Sequence, residues 1–305
     1  KTTIVRKFCE EHYENVVYID FMHNTSVKSL FDKDLNVNDL IISLSASNLG
    51  AKFIPYKTII IFDELQECAN ARSAIKPFME DGRFDLICTG SLLGLRGYNK
   101  KVSKGVSTGF EKVITMKPMD FEEYLWAIGL EKSVIEYVKK CFSEKTQVIP
   151  NVNEKLMKYF KEYLCVGGLP DVVNVFNLTH DLTQVREIQQ SILESYKDDF
   201  GKHLNKDEVQ EINQTELTKI MQVYKSIPNQ LAKENKKFQY KLVASNAKAR
   251  SHSNAITWLE EFGLICKCHN LNNLELPLDG NKDEDTFKIY VTDTGLFIAM
   301  LEDGT

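Results

Sequence analysis

The stretch Thr58-Ile59-Ile60-Ile61-Phe62-Asp63-Glu64 decides the fold class of this chain. Its apolar part is short, rich in β-branched residues and free of polar alternation, which is typical of a strand buried on both faces. Two carboxylates follow directly. In sheets of parallel strands, ligands bind at the carboxyl ends of the strands. The stretch therefore predicts a central parallel strand whose end carries chemistry.

Strands and helices alternate on both sides of this stretch. Strands are predicted over 16–21, 84–88 and 113–116, and helices over 2–12, 29–49, 70–80 and 121–128. Such alternation is typical of an α/β fold with a parallel sheet covered by helices on both faces. The predicted strand ends carry Asp20, Asp63-Glu64 and Thr89-Gly90-Ser91.

Composition narrows the class of protein. The 305 residues suffice for two domains, and 43% hydrophobic with 27% charged residues is the balance of a soluble globular chain. No apolar run reaches the roughly 18 residues of a membrane span. The net charge of −5 argues against indiscriminate nucleic-acid binding, and seven scattered cysteines indicate reduced thiols. We expect a cytoplasmic protein.

The chain opens with Lys1-Thr2-Thr3 and runs directly into a predicted helix. This matches the end of a P-loop, G-x-x-x-x-G-K-[ST], in which lysine meets the phosphates and the hydroxyl holds Mg²⁺. Alone, the three residues also fit a lysine that happens to come first. The hypothesis assigns Lys1, Thr2 and Thr3 to nucleotide binding, and Thr2 also to the metal.

The acidic strand end supplies the second half of a nucleotide site. As a Walker B element, Asp63 would bind Mg²⁺ and Glu64 would activate the attacking water. Ser91 follows the next strand, where a polar side chain can sense the γ-phosphate. The three elements occur in the right order at the right strand ends, and this joint occurrence predicts ATP and Mg²⁺ as cofactors.

Several stretches together resemble a known family. They are IFDELQEC (61–68), NAR (70–72), DGR (81–83), TGSLLG (89–94), MKPMDFEEYL (116–125), GGLP (167–170) and YVTDTGL (290–296). They resemble predicted archaeal and bacterial AAA-type ATPases with a DUF4143 C-terminal region. The resemblance implies an AAA/ASCE-like P-loop ATPase core over 1–130 and a helical lid or linker over 131–205. It also implies a winged-helix-like DUF4143 region over 206–305.

The resemblance also concerns the ends of the chain and its assembly. The family's leading strand and P-loop glycines would precede Lys1, so we expect a fragment that lacks the start of the Walker A motif and is truncated C-terminally. Such a fragment could be inert. In related ATPases a trans-acting arginine completes the site of a homo-oligomer, and Arg96 or Arg72 are the candidates.

The last third of the chain suggests a winged helix. Helices over 216–226, 227–232 and 246–262 are predicted to precede a hairpin that begins at 264–266 and returns over 287–291. Between residues 215 and 266 there are eight Lys or Arg against four Asp or Glu. Basic and polar residues gather near the start of the third predicted helix: Lys241, Lys248, Arg250, Ser251 and His252. DNA binding through 215–266 is therefore predicted, with protein contact as the other use of such a module.

Two functions from different classes follow. The first is a Mg-ATP hydrolase or ATP-driven switch, coupled to DNA or protein binding. The alternative is a DNA-binding winged-helix regulatory protein whose ATPase half is a non-hydrolysing scaffold. Glu64 separates them, because Glu64→Gln alters only the first.

Overall fold

The structure, a computed structural model, describes residues 1–32, 35–47, 51–90, 109–204 and 210–301. The chain divides into two compact units, Lys1–Met116 (unit 1) and Lys117–Thr305 (unit 2). The division into three parts, with boundaries at 130 and 205, stays a prediction.

Unit 1 is built on a parallel sheet. Its strands β1 (Asn15–Asp20), β2 (Thr58–Asp63) and β3 (Asp85–Cys88) lie in the order β1-β2-β3. Asp20 is level with Asp63, and Phe62 with Cys88, so the three carboxyl ends meet at one edge. Every residue of β2 is buried, as its apolar run predicts. The α/β fold class is confirmed.

Helices cover both faces of this sheet. They are α1 (Thr2–His12), α2 (Thr25–Lys28), α3 (Val37–Ala46), α4 (Ala69–Ser73) and α5 (Ile75–Asp81), with single 3₁₀ turns at Ser29–Asp32 and Leu65–Glu67. On one face, Phe62 packs edge-on against the rings of Phe21, Phe31 and Phe78. On the other face, Ile59 and Ile61 pack with Cys9 of α1. Successive side chains of β2 point to opposite faces of the sheet, so the strand contributes to two separate apolar layers.

Two predicted helices are shorter than expected. The helix predicted over 29–49 begins only at Val37, because the side chain of Asn36 caps it and accepts a hydrogen bond from the amide of Asn38 at 2.9 Å. The helix predicted over 70–80 is divided into α4 and α5. Pro77 lies in the first turn of α5, where it lacks an N–H and would crowd the carbonyl of Ser73 in a continuous helix.

The strand predicted over 113–116 is wrong. Residues 111–117 belong to no helix or strand, and the side chains of Val113 and Ile114 are 62% and 80% exposed. A β-branched pair indicates a strand only where neighbours bury it.

Unit 2 is mainly helical, as predicted for 132–199. Its helices are α6 (Phe121–Ala127), α7 (Lys132–Glu144), α8 (Pro150–Val166), α9 (Pro170–Thr179), α10 (Leu182–Leu204), α11 (Gln210–Leu231), α12 (Ala249–Phe262) and α13 (Thr294–Leu301). Strands β4 (Ile265–Leu271) and β5 (Lys282–Val291) form the predicted antiparallel hairpin. No helix in the described ranges is long and apolar enough to cross a membrane.

The helices predicted over 216–226 and 227–232 are in fact one helix, α11. Pro228 lies in its last turn, where it lacks the N–H for one backbone hydrogen bond, and the helix continues to Leu231. After α11, the amide of Phe238 donates to the carbonyl of Phe287 on β5 at 2.9 Å, and a 3₁₀ turn follows at Tyr240–Leu242. The winged-helix interpretation of this region stays a prediction.

A buried carboxylate joins three stretches that the sequence resemblance had singled out. Asp293, 4% exposed, accepts from the amides of Gly168 at 2.7 Å and Leu296 at 2.8 Å. Gly168 in turn accepts from the amide of Met119 at 2.8 Å. A Cβ on Gly168 would overlap the carbonyl oxygen of Met119, so this crossing requires glycine. The three stretches 116–125, 167–170 and 290–296 therefore meet at one structural junction.

Candidate functional site

The carboxylate of Asp63 is the centre of the candidate site in unit 1. It is buried, 4% exposed, and accepts hydrogen bonds from three hydroxyl groups. Thr2 Oγ1 donates to Oδ1 at 2.9 Å, Thr89 Oγ1 donates to the same oxygen, and the Tyr18 hydroxyl donates to Oδ2. The predicted pair Thr2 and Asp63 is thus brought together from positions 61 residues apart.

Backbone pairing continues beyond the strand ends and brings these groups together. The amide of Thr89 donates to the carbonyl of Phe62 at 2.8 Å, and the amide of Leu65 donates to the carbonyl of Thr89 at 3.0 Å. The connection after β3 therefore stays beside the end of β2. This is the edge at which ligands of parallel sheets bind.

Helix α1 begins at the same edge. Lys1 occupies its N-cap position without a side-chain cap, and Lys1 Nζ donates to the carbonyl of Gly90 at 3.3 Å. The uncapped amides and the ammonium group both favour an anion at this end of the helix. Thr3 is exposed in the first turn, and the structure does not bring it to Asp63.

Glu64 has an unusual backbone conformation. Its φ and ψ of 52° and 49° lie in the left-handed region, which few residues with a Cβ adopt. Its carboxylate accepts a hydrogen bond from Gln66 Nε2. The chain therefore turns sharply at the end of β2, and Glu64 leaves the strand direction there.

Two predicted site residues, Ser91 and Arg96, lie outside the described residues. Arg72, the other arginine considered, is buried at 8% exposure, and its guanidinium lies 3.1 Å from the carboxylate of Glu111 in the same unit. That ion pair suits an internal role and does not suit an arginine that reaches into a second subunit.

Sequence reasoning missed Tyr18 and Thr89 as partners of Asp63. Burial, and then the hydrogen bond to Asp63, raise the pKa of the Tyr18 hydroxyl, so it remains a donor at neutral pH. Tyr18 precedes Asp20 by two residues on β1, and this alternation could have marked it as a neighbour of the site. Thr89 was noted as part of a strand end, but without a role.

The donor set is that of a hard cation. A carboxylate and a hydroxyl lie side by side at Asp63 and Thr2, and oxygen ligands of this kind suit Mg²⁺ better than Zn²⁺. Across the described part of the chain, no group of three or more His, Cys, Asp or Glu side chains is placed to hold a metal ion. A Mg²⁺ ion here would therefore have few protein ligands. Its other ligands would be phosphate and water oxygens, as is usual for this ion.

The basic residues predicted to contact DNA lie around the start of α12. Lys241, Lys248 and Arg250 are exposed, Ser251 is half-buried and His252 is buried. Among the described residues, none of the three cations forms an ion pair with a carboxylate.

The sheet of unit 1 forms a parallel α/β core, and a helical region follows it. Residues 1–125 match the family model of the AAA domain. Residues 157–305 match a domain of unknown function, DUF8612. The DUF4143 region named from the sequence stays a prediction.

No curated protein matches the chain. Among solved structures, a match is the Aeropyrum pernix ORC1 protein in complex with DNA, with 10% identity over 99% of this chain and 81% of that chain. Its TM-score of 0.31 is too low to support any inference.

Proposed function

We propose that unit 1 binds Mg-ATP and hydrolyses it. The observation that carries the proposal is the cluster in which Thr2 donates to the buried Asp63 while Lys1 reaches the carbonyl of Gly90. At a P-loop, the residues that bind magnesium and those that bind the nucleotide lie together in this way. Proteins with AAA domains generally bind ATP with Mg²⁺. The match of residues 1–125 to the AAA domain supports the same assignment.

In this proposal Lys1-Thr2-Thr3 forms the end of a P-loop. Lys1 holds the phosphates, while Thr2 and Asp63 hold the metal ion, which supplies charge neutralisation between the phosphates when bound. Glu64 orients and deprotonates the attacking water. Its left-handed backbone supports this role, because residues in sparsely populated conformations cluster at functional sites. Ser91 as γ-phosphate sensor and Arg96 as a trans-acting arginine in a homo-oligomer belong to the same proposal.

The test measures Mg-ATP binding and turnover in parallel. Glu64→Gln keeps the shape of the side chain but removes the base, so we expect turnover to fall by about 100-fold or more while ATP binding stays. Glu67→Gln, in the 3₁₀ turn that follows, is the matched control and should keep its turnover. Turnover that is equal in both variants would contradict the hydrolase proposal.

A second function is proposed for unit 2, namely DNA binding around the start of α12. The observation that favours it is the exposed group of Lys241, Lys248 and Arg250. Exposed cations bind backbone phosphates in a strongly salt-dependent way. If DNA binding persists in Glu64→Gln and no ATP is hydrolysed by the wild type, the DNA-binding regulatory protein with a scaffold ATPase half becomes the better description.

A cytoplasmic location belongs to the proposal as well. All seven cysteines are free thiols, including three exposed ones, Cys165, Cys266 and Cys268. Exposed unpaired thiols suit a reducing compartment.

A further inference from the structure

A cleft in unit 2 lies between α11 and the start of α12. Thr215, Thr218 and Lys219 line it from α11, residues 244–247 line it from the turn before α12, and His252 lines it from α12 itself. Its volume is about 450 Å³. The cleft belongs to neither the sheet edge of unit 1 nor the metal-binding residues proposed there.

His252 gives the cleft its chemistry. The side chain is buried, 6% exposed, and its Nδ1 lies 2.8 Å from Ser251 Oγ. Ser251 Oγ also contacts the backbone of Lys248, with the carbonyl oxygen at 3.0 Å and the amide nitrogen at 3.2 Å, so the tautomer of the ring decides whether Ser251 or His252 donates between them. The other ring nitrogen, Nε2, has no hydrogen-bonding partner within the described part of the chain. A buried polar atom left unpaired costs about 1–3 kcal/mol, which a ligand would recover.

The surroundings of His252 favour a negatively charged ligand. Helix α12 has Lys248 at its N-cap and no side-chain cap, so its first amides and its dipole favour an anion. Lys248 and Arg250 are exposed beside it. Lys219 contributes less charge, because its Nζ lies 2.5 Å from the carboxylate of Glu216.

We propose that the cleft binds a phosphate group, with the ring Nε2–H of His252 as the donor. A phosphate oxygen at Nε2 would satisfy the buried nitrogen and would lie near the positive end of α12. The phosphate is either a free oxyanion or part of a DNA backbone. In the second case the inference rests on the proposed DNA binding and names its anchoring contact.

The first experiment titrates the ¹⁵N-histidine-labelled full chain with inorganic phosphate, against chloride at equal ionic strength. We expect saturable shifts of the His252 ring nitrogens at up to about 20 mM phosphate. Thr218→Glu places a carboxylate in the cleft from an exposed position and should weaken the affinity about tenfold or more. Ser253→Ala, exposed on the same helix outside the cleft, should leave it unchanged. His252 signals that do not respond to phosphate would overturn the proposal.

His252→Gln gives a second reading, with the fluorescence of the buried Trp258 as a check that unit 2 is folded. A folded variant that binds phosphate as tightly as the wild type would also overturn the proposal.

A DNA duplex titrated in phosphate-free buffer separates the two sources. If Thr218→Glu weakens both DNA and phosphate binding, the bound group is a backbone phosphate. If it weakens inorganic phosphate alone, the cleft binds a free oxyanion. If it weakens neither, the proposal is wrong. Mg-ATP turnover of the same samples is read separately, so a failed ATPase proposal leaves this result intact.

Discussion

Burial of the Asp63 carboxylate costs free energy of folding. An ionised carboxylate removed from water destabilises a protein unless hydrogen bonds or a cation compensate it. Three hydroxyl donors, from Thr2, Tyr18 and Thr89, supply part of that compensation. The arrangement fixes the carboxylate in one orientation, and this is a requirement for binding Mg²⁺ with few protein ligands.

Tyr18→Phe tests this orientation. The variant keeps the ring and removes one donor to Asp63, so we expect the affinity for Mg-ATP to fall about tenfold, with metal-free ATP binding much less affected. Tyr13→Phe is the matched control, because the Tyr13 hydroxyl donates to the exposed Asp85 at 2.7 Å, outside the cluster. The measurement is calorimetric titration with and without Mg²⁺. Equal affinity in both variants would mean that Tyr18 is only a packing residue.

At this scale the sequence predicts the ends of strands but not which side chains meet across them. Asp63 follows an unmistakable apolar run and was predicted as a ligand. Tyr18 was not, because alternation along β1 shows only that it shares a face with Asp20, and the register between β1 and β2 then places it level with Ile61 and next to Asp63. Register is a property of two strands, and one strand's pattern leaves it open.

Among the elements, the junction of Gly168, Met119 and Asp293 requires a particular residue type most strictly, because only glycine fits at position 168. Gly168→Ala should destabilise unit 2 by about 2–3 kcal/mol, because the new methyl group overlaps the backbone carbonyl of Met119, directly before the N-cap of α6. Gly280→Ala, whose Cβ would meet only Pro277 at 3.8 Å, should cost far less. Urea denaturation followed by tryptophan fluorescence measures this, since Trp126 and Trp258 both lie in unit 2. Equal midpoints would show that the backbone adapts.

Asp293 makes a second prediction at the same junction. Asp293→Ala should cost about 2–4 kcal/mol, because it leaves the buried amide of Gly168 and the first turn of α13 unpaired. Asp293→Asn keeps an acceptor oxygen and should cost less. The same denaturation experiment ranks the two.

The pH dependence of these variants has a defined sign. Burial raises the pKa of Asp293 above its ordinary 3.8, although backbone hydrogen bonds oppose the shift. The folded chain therefore keeps this proton at pH values where the unfolded chain has lost it. Wild-type stability should fall relative to Asp293→Asn as the pH rises above about 4, until the raised pKa is passed. A constant difference between the two would contradict the raised value.

The boundaries of the helices depend on residues that apolar periodicity does not take into account. The apolar periodicity over 29–49 and 70–80 predicts long helices, but Asn36 and Pro77 decide where helices start. Conversely, the two helices expected over 216–226 and 227–232 form one helix that continues through Pro228 to Leu231. Caps and prolines thus need to be weighed by their position in the turn, not by their presence.

For the whole molecule, each unit has its own core. That of unit 2 includes Phe200, Tyr224 and Trp258, whose rings contact one another edge-on through Phe200. We expect residues 117–305 expressed alone to fold, with a cooperative thermal transition in circular dichroism and blue-shifted tryptophan emission. A fragment without cooperative unfolding would show that unit 2 needs unit 1.

The alternation of strands and helices was sufficient to predict the parallel sheet and the helical region after it. The division of the chain was less accessible, because the boundary at 116–117 lies in a stretch that the sequence predicts as a strand, whereas its residues belong to no strand and are exposed. Patterns of single residues show which segments are apolar, and only packing shows which segments share a core.

The central position of β2 also has a consequence for dynamics. Its amides are paired or enclosed by β1 on one side and β3 on the other, and its side chains are buried along the whole strand. Hydrogen–deuterium exchange from such a strand requires the largest opening that unit 1 undergoes. Asp63 is the last residue of this strand, so the proposed metal-binding carboxylate is attached to the slowest-exchanging part of the sheet. The first amides of α1 have no partner within the helix, so we expect them to exchange before those of β2.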